Sequence, residues 1–151
     1  MSDRDATAAD ESARVQPQVE RLQTDECWRL LQDAPMARIA LVDEDGDPEI
    51  YPVNIQIHDG TILIRSAEDA KVRMLRAHPR VALMADGGTL RVRWSVIVHA
   101  AAEITDDDPA LHPPASDGAV SWHPGEKPRL IRLTADSVTG RRFLITAGAR
   151  P

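Results

Sequence analysis

The sequence predicts a mainly antiparallel β fold with two short helices, in which six or seven strands close on themselves as a small barrel. Three observations predict it. From Ala37 onward the apolar residues follow a strand period rather than a helical one, and short Gly/Asp turns punctuate the runs. Helical spacing is confined to two windows, one beginning near Thr24 and one near Ser66. Strands this numerous in 151 residues close on themselves, because open sheet edges template aggregation.

Residues 1–18 are rich in Ala, Asp, Ser and Arg without an apolar period and read as a disordered tail, which leaves 19–151 as a single domain. Thr24 or Asp25 can cap a helix with Asp25 and Glu26 in its first turn, where carboxylates oppose the helix dipole. Cys27, Leu30, Leu31 and Ala34 make its apolar stripe, and Pro35 stops it. Ala37–Val42 and Glu49–Ile57 are strands flanking the turn Glu44-Asp45-Gly46-Asp47. His58-Asp59-Gly60 turns the chain into a third strand, Thr61–Arg65. Ser66-Ala67-Glu68-Asp69 matches a capping box and opens a helix that runs to His78 before Pro79.

Val81–Ala85 is apolar on both faces, as a central strand is. After Gly87-Gly88, Val92, Trp94, Val96, Val98 and Ala100 alternate with Arg93, Ser95, Ile97 and His99 in a long strand, and two further strands are expected at Arg129–Leu133 and Arg142–Ile145. The segment from Asp106 to Pro128 holds five of the eleven prolines and reads as a lid or a dimer arm, with Trp122 as its docking residue.

Composition excludes several functions. A net charge of −6 speaks against non-specific binding to nucleic acid or an anionic membrane. No stretch approaches the roughly 20 apolar residues of a spanning helix, and there is no signal peptide, so a cytoplasmic location is expected. Cys27 is the only cysteine, which rules out an internal disulfide and a Cys-x-x-Cys motif. The five histidines lack the spacing of a metal site, and no Gly-x-Ser-x-Gly elbow or Walker loop is present. Between Arg65 and Arg93, seven cations face three acids, a local +4 that leaves −10 for the remainder. Such an island suits a small phosphorylated ligand; solvated element edges are the competing explanation.

Three constellations could carry chemistry. In Tyr51-Pro52-Val53-Asn54-Ile55 the proline cannot donate to a ladder, so it belongs at an edge or bulge, where free backbone groups could meet a planar heterocycle. At Arg65-Ser66 and Lys71 a capped helix mouth and two cations could converge on a phosphate. Glu68 and Asp69 offer the opposing reading, a plain helix start whose dipole is satisfied without a ligand. Trp94-Ser95 places an aromatic on the apolar face of its strand and a hydroxyl on the other.

The ordered set resembles the FMN-binding split β-barrel family related to pyridoxamine 5'-phosphate oxidase. It comprises Glu26-Cys27-x-x-Leu30-Leu31, Met36 to Ala40, Pro52-Val53-Asn54, Arg65-Ser66, Lys71, Trp94-Ser95-Val96, Trp122-His123-Pro124-Gly125 and Val138 to Arg142. The resemblance spans residues 26–142 and implies a homodimer with FMN in a groove between subunits. It implies Pro52, Val53, Asn54 and Ile55 beside the isoalloxazine ring, and Arg65, Ser66 and Lys71 at the phosphate. Ser95 would lie near the ribityl chain and phosphate, Trp94 would be among the cofactor-binding residues, and Trp122 would close the pocket. The implied activity is an FMN-dependent oxidoreductase acting on a small molecule, with no catalytic acid or base identified. A deazaflavin-dependent reductase on the same barrel, drawing on Arg73, Arg76 and Arg93, and a non-catalytic flavin carrier or sensor are the alternatives.

Overall fold

A computed structural model describes residues 18–34, 36–106 and 129–145. In chain order the elements are β1 (Gln18–Arg21), α1 (Thr24–Asp33), β2 (Met36–Val42), β3 (Pro48–Asn54), β4 (Gln56–His58), β5 (Thr61–Ser66), α2 (Ala70–Ala77), β6 (Arg80–Gly88), β7 (Val92–Asp106) and β8 (Arg129–Leu144). The strands form one antiparallel sheet in the order β3-β2-β6-β7-β8-β5-β4, with β1 also paired to β8. The two ends of that order, β3 and β4, are separated in the chain only by Ile55. A chain that steps from one sheet edge to the other across one residue obliges the sheet to curl until its edges meet. The result is the expected split barrel, and its split lies at Ile55.

Local chemistry explains the turns. The Asp43 carboxylate accepts the N–H groups of Asp45 and Asp47, each at 2.9 Å, and folds the β2–β3 turn. Asp59 and Gly60 both have positive φ, +49° and +73°, as a two-residue hairpin loop of the mirror-image type requires. The Thr89 hydroxyl accepts from the N–H groups of Arg91 and Val92 and closes the β6–β7 turn.

The core lies inside the curl. Ile39, Leu83, Val96, Val98, Ile62 and Leu133 are at most 1% exposed, and each fully buried side chain of this size contributes about 1.5–3 kcal/mol. Both helices plug the barrel: α1 buries Cys27 and Leu31, and α2 buries Val72 and Leu75.

The structure corrects four local expectations. Neither Thr24 nor Asp25 caps α1. Gln23 holds the extended residue before it without a side-chain bond, because Leu22 still donates to the Gly140 carbonyl as a continuation of β1. Gln18, expected in the tail, opens β1 opposite Leu144; residues 1–17 lie outside the described residues. The second strand is interrupted at Ile55, giving β3 and β4. The two strands expected near the C-terminus are one, β8, paired to β7 along its length. Its ladder contains a bulge: His99 faces Ser137 and Ala100 faces Ala135, so Asp136 is extra and breaks the period of two. Asp136 is held by Arg80 at 2.8 Å.

Candidate functional site

The seam at Ile55 gathers the first two constellations. β3 has a sheet neighbour on one side only, so Pro52, opposite Arg38 in β2, sits on an edge strand as a missing N–H demands. Pro52 and Asn54 are exposed, Val53 is buried in the core, and Tyr51 and Ile55 are half-buried against it. Beside the seam, within the β4–β5 pair, the Arg65 guanidinium donates from Nη1 to Gln56 Oε1 at 3.0 Å. Gln56 is two residues beyond Asn54, so the end of β5 and the β3–β4 passage meet here.

Ser66 is not the helix cap. It is the last residue of β5, opposite Arg129, and is 3% exposed. The cap of α2 is Asp69, whose Oδ1 accepts the Val72 N–H at 3.3 Å. Its Oδ2 accepts from the Lys71 ammonium at 3.0 Å, and the Ser66 hydroxyl stands 3.2 Å from the same oxygen and 3.1 Å from the Ala67 carbonyl. Burial pushes the Asp69 carboxyl up, but the bond and charge of Lys71, the Val72 N–H and the Ser66 hydroxyl outweigh it and hold the group below the usual carboxylate range. Lys71 also places its Nζ 5.2 Å from the centre of the Tyr51 ring, a cation–π contact that ties α2 to β3.

Glu68 lies before the helix rather than in its first turn. It pairs with Arg76 and, at 2.7 Å, with Arg129 Nε, while Arg129 Nη1 reaches Asp106 Oδ1 at 2.6 Å. The Arg129 bond first, then Arg76, lowers the Glu68 carboxyl, and Glu68 in turn raises Arg129. This network ties the start of α2 to the base of the β7–β8 hairpin. Sequence reading missed it, as it missed Gln56: Glu68 and Arg129 are 61 residues apart and share no local pattern.

Trp94 and Ser95 stand apart from the helix mouth. On β8 the residue opposite Ser95 is Arg141, eleven positions beyond Leu130, which faces Arg65. Their link is to the outer face of β3: Ser95 is opposite Asp86, Asp86 pairs with Arg38 at 3.2 Å, and Arg38 is opposite Pro52. Trp94 is half-buried and lies against Gly87, where an added Cβ would be 2.8 Å from the indole. Gly87 is therefore the space the tryptophan occupies. Of the lid or arm expected over 106–128, Asp106 is the last residue of β7, and residues 107–128, Trp122 among them, lie outside the described residues.

Comparison with known proteins agrees with this architecture. The family model described as pyridoxamine 5'-phosphate oxidase matches residues 23–142. Uncharacterized protein Rv3129 of Mycobacterium tuberculosis is 31% identical over 83 residues, covering 55% of this chain and 76% of that protein. Among solved structures, a FAD-binding protein from Mesorhizobium loti superposes with a TM-score of 0.69 at 27% identity, over 86% of this chain and 100% of that one. The FAD-binding protein of Mycobacterium smegmatis superposes with a TM-score of 0.62 at 27% identity, over 83% and 99%. With a split barrel whose edges meet at Ile55 and a family match over four-fifths of its length, the chain belongs to the pyridoxamine 5'-phosphate oxidase family.

Proposed function

We propose that the chain is a flavin-dependent oxidoreductase that binds FMN along the seam at Ile55 and works as a homodimer. The observation that carries this reading is the meeting of the β3–β4 passage with the end of β5 and the start of α2, where Arg65 bonds Gln56 and the Lys71 ammonium stands over the Tyr51 ring. The donor set suits the ring of a flavin. An edge strand leaves backbone groups without ladder partners, Pro52 removes one donor from it, and Asn54 and Gln56 bring amides that can both donate and accept. Arg65, Ser66 and Lys71 are the cations and hydroxyl beside it. The relatives from Mesorhizobium loti and Mycobacterium smegmatis, described as FAD-binding, lend support, since FAD carries the same ring. When bound, the flavin supplies hydride and electron transfer; this chain's residues hold and orient it.

The second copy is proposed from the placement of Ser95 and Trp94, far along β8 from Arg65, and from the exposed apolar outer face that includes Ile50 and Ile97. A deazaflavin with a long anionic tail is less well served. Arg76 is already engaged by Glu68, and Arg93 lies opposite Phe143, near the other end of β8. No described helix is long and apolar enough to cross a membrane, and a lone buried thiol suits the reducing cytoplasm.

The test is the visible spectrum of the purified protein, followed by anaerobic titration with a reduced nicotinamide. Bound flavin that bleaches on titration is the expected result. Bound flavin inert to every reductant would make the protein a carrier or sensor, and no binding of FMN, riboflavin or FAD after reconstitution overturns the reading.

A further inference from the structure

We infer that Asp69 is a built-in competitor for the anion position at the start of α2, so that the seam grips a flavin by its ring and gains little from a terminal phosphate. The inference rests on the flavin reading above and names the residue that sets which flavin is preferred. One carboxylate draws in three donors of different kinds: the Lys71 ammonium at 3.0 Å, the Val72 N–H at 3.3 Å and the Ser66 hydroxyl at 3.2 Å. Ammonium, free first-turn N–H and hydroxyl are the donors a phosphate monoester would need at a helix mouth. Here the chain fills that place itself.

Ser66 is 3% exposed, so its hydroxyl cannot turn to solvent to find another anion; its one proton is shared between Asp69 and the Ala67 carbonyl. Two neighbouring cations are also matched: Glu68 takes Arg76 and Arg129, and Asp106 takes Arg129 as well. Within the basic island legible in the sequence, Lys71, Arg76 and Arg80 are thus paired with carboxylates of the fold. A phosphate entering at this point must displace Asp69 from its donors and then lie beside the displaced carboxylate. Like charges so close together oppose binding unless one is protonated. A flavin with an uncharged ribityl tail meets no such opposition, and neither does a dinucleotide whose diphosphate passes outside the helix mouth.

The test is a set of equilibrium titrations, by quenching of flavin fluorescence, of riboflavin, FMN and FAD against the full chain and against Asp69→Asn. Asparagine keeps the capping oxygen for the Val72 N–H, so α2 retains its start. For the unaltered chain, riboflavin and FMN are expected to bind within about threefold of each other, whereas a productive phosphate grip is worth tenfold or more. In Asp69→Asn, FMN is expected to bind at least about tenfold tighter, with riboflavin unchanged. A preference of the unaltered chain for FMN above about tenfold overturns the inference without any variant, and so does an unchanged riboflavin-to-FMN ratio in a folded Asp69→Asn. In both of those outcomes riboflavin still binds and the flavin reading survives. If no flavin binds either protein, both fall.

Discussion

The ammonium of Lys71 stands 5.2 Å from the centre of the Tyr51 ring while bonding the Asp69 carboxylate at 3.0 Å. One side chain therefore ties the start of α2 to the edge strand of the barrel. Lys71→Met keeps the length of the side chain but removes its charge. It is expected to lower stability by about 1 kcal/mol, the scale of a partly shielded cation–π contact with a part-buried ion pair. Lys71→Arg should recover most of that. Urea denaturation midpoints at constant slope measure both, and equal midpoints for Met and Arg would show that the charge is idle.

Asp69 and Glu68 make stability depend on acid. Both carboxyls are held below their ordinary range in the folded chain, Asp69 because Lys71, Val72 and Ser66 outweigh burial and Glu68 by Arg129 and then Arg76. A depressed folded value means the native state binds fewer protons than the unfolded one. The contribution is therefore complete above the ordinary carboxylate range, and it disappears as pH falls through that range toward the depressed folded values. Melting temperatures followed from neutral pH into acid should fall less steeply for Asp69→Asn and for Glu68→Gln than for the unaltered chain. Parallel curves would mean that these carboxylates titrate alike folded and unfolded.

Where the local pattern and the tertiary pairing agree, the sequence was readable. The hairpin turns at Asp43–Asp47 and Asp59-Gly60, the long β7 and the edge position of Pro52 follow from turn chemistry and a period of two. The helix start, read from the sequence at Ser66, was misplaced for a physical reason. Ser66 and Asp69 are both good caps three residues apart, and pairing of Ser66 with Arg129 in the sheet decides for Asp69. β8 was hidden because Asp136 bulges out of register and Thr134, Ser137 and Thr139 on its outer side look like a loop. The Glu68–Arg129 contact joins distant elements, and no spacing rule reaches it, whereas Arg65 and Gln56 sit on the paired strands β4 and β5.

Cys27 is fully buried, and burial first, then the charge of Glu26, pushes its thiol up. Both effects suppress the thiolate, which is the reactive form. A thiol-reactive aromatic disulfide at neutral pH is expected to leave the native chain unlabelled and to label one thiol per chain in denaturant. Rapid labelling of the folded protein would place Cys27 at an accessible surface and contradict its role as a core residue.

Gly140 shows how closely α1 sits on the sheet. A Cβ there would lie 2.7 Å from Cys27 Sγ, 3.1 Å from Leu22 Cδ1 and 3.3 Å from the Ser95 carbonyl oxygen. Contacts under 3 Å force displacement, and overpacking of a full core costs roughly 1–3 kcal/mol, so Gly140→Ala should be destabilised by that order. The sulfur is the nearest obstacle and belongs to a side chain that can be shortened. Cys27→Ala alone should lose stability through the cavity it leaves, yet in Cys27→Ala/Gly140→Ala the new methyl enters the space the sulfur vacated. The double variant is therefore expected to lose less than the two single losses added together. Strict additivity would show that the carbonyl of Ser95 and the Leu22 side chain, rather than the sulfur, set the limit on α1's approach to β8.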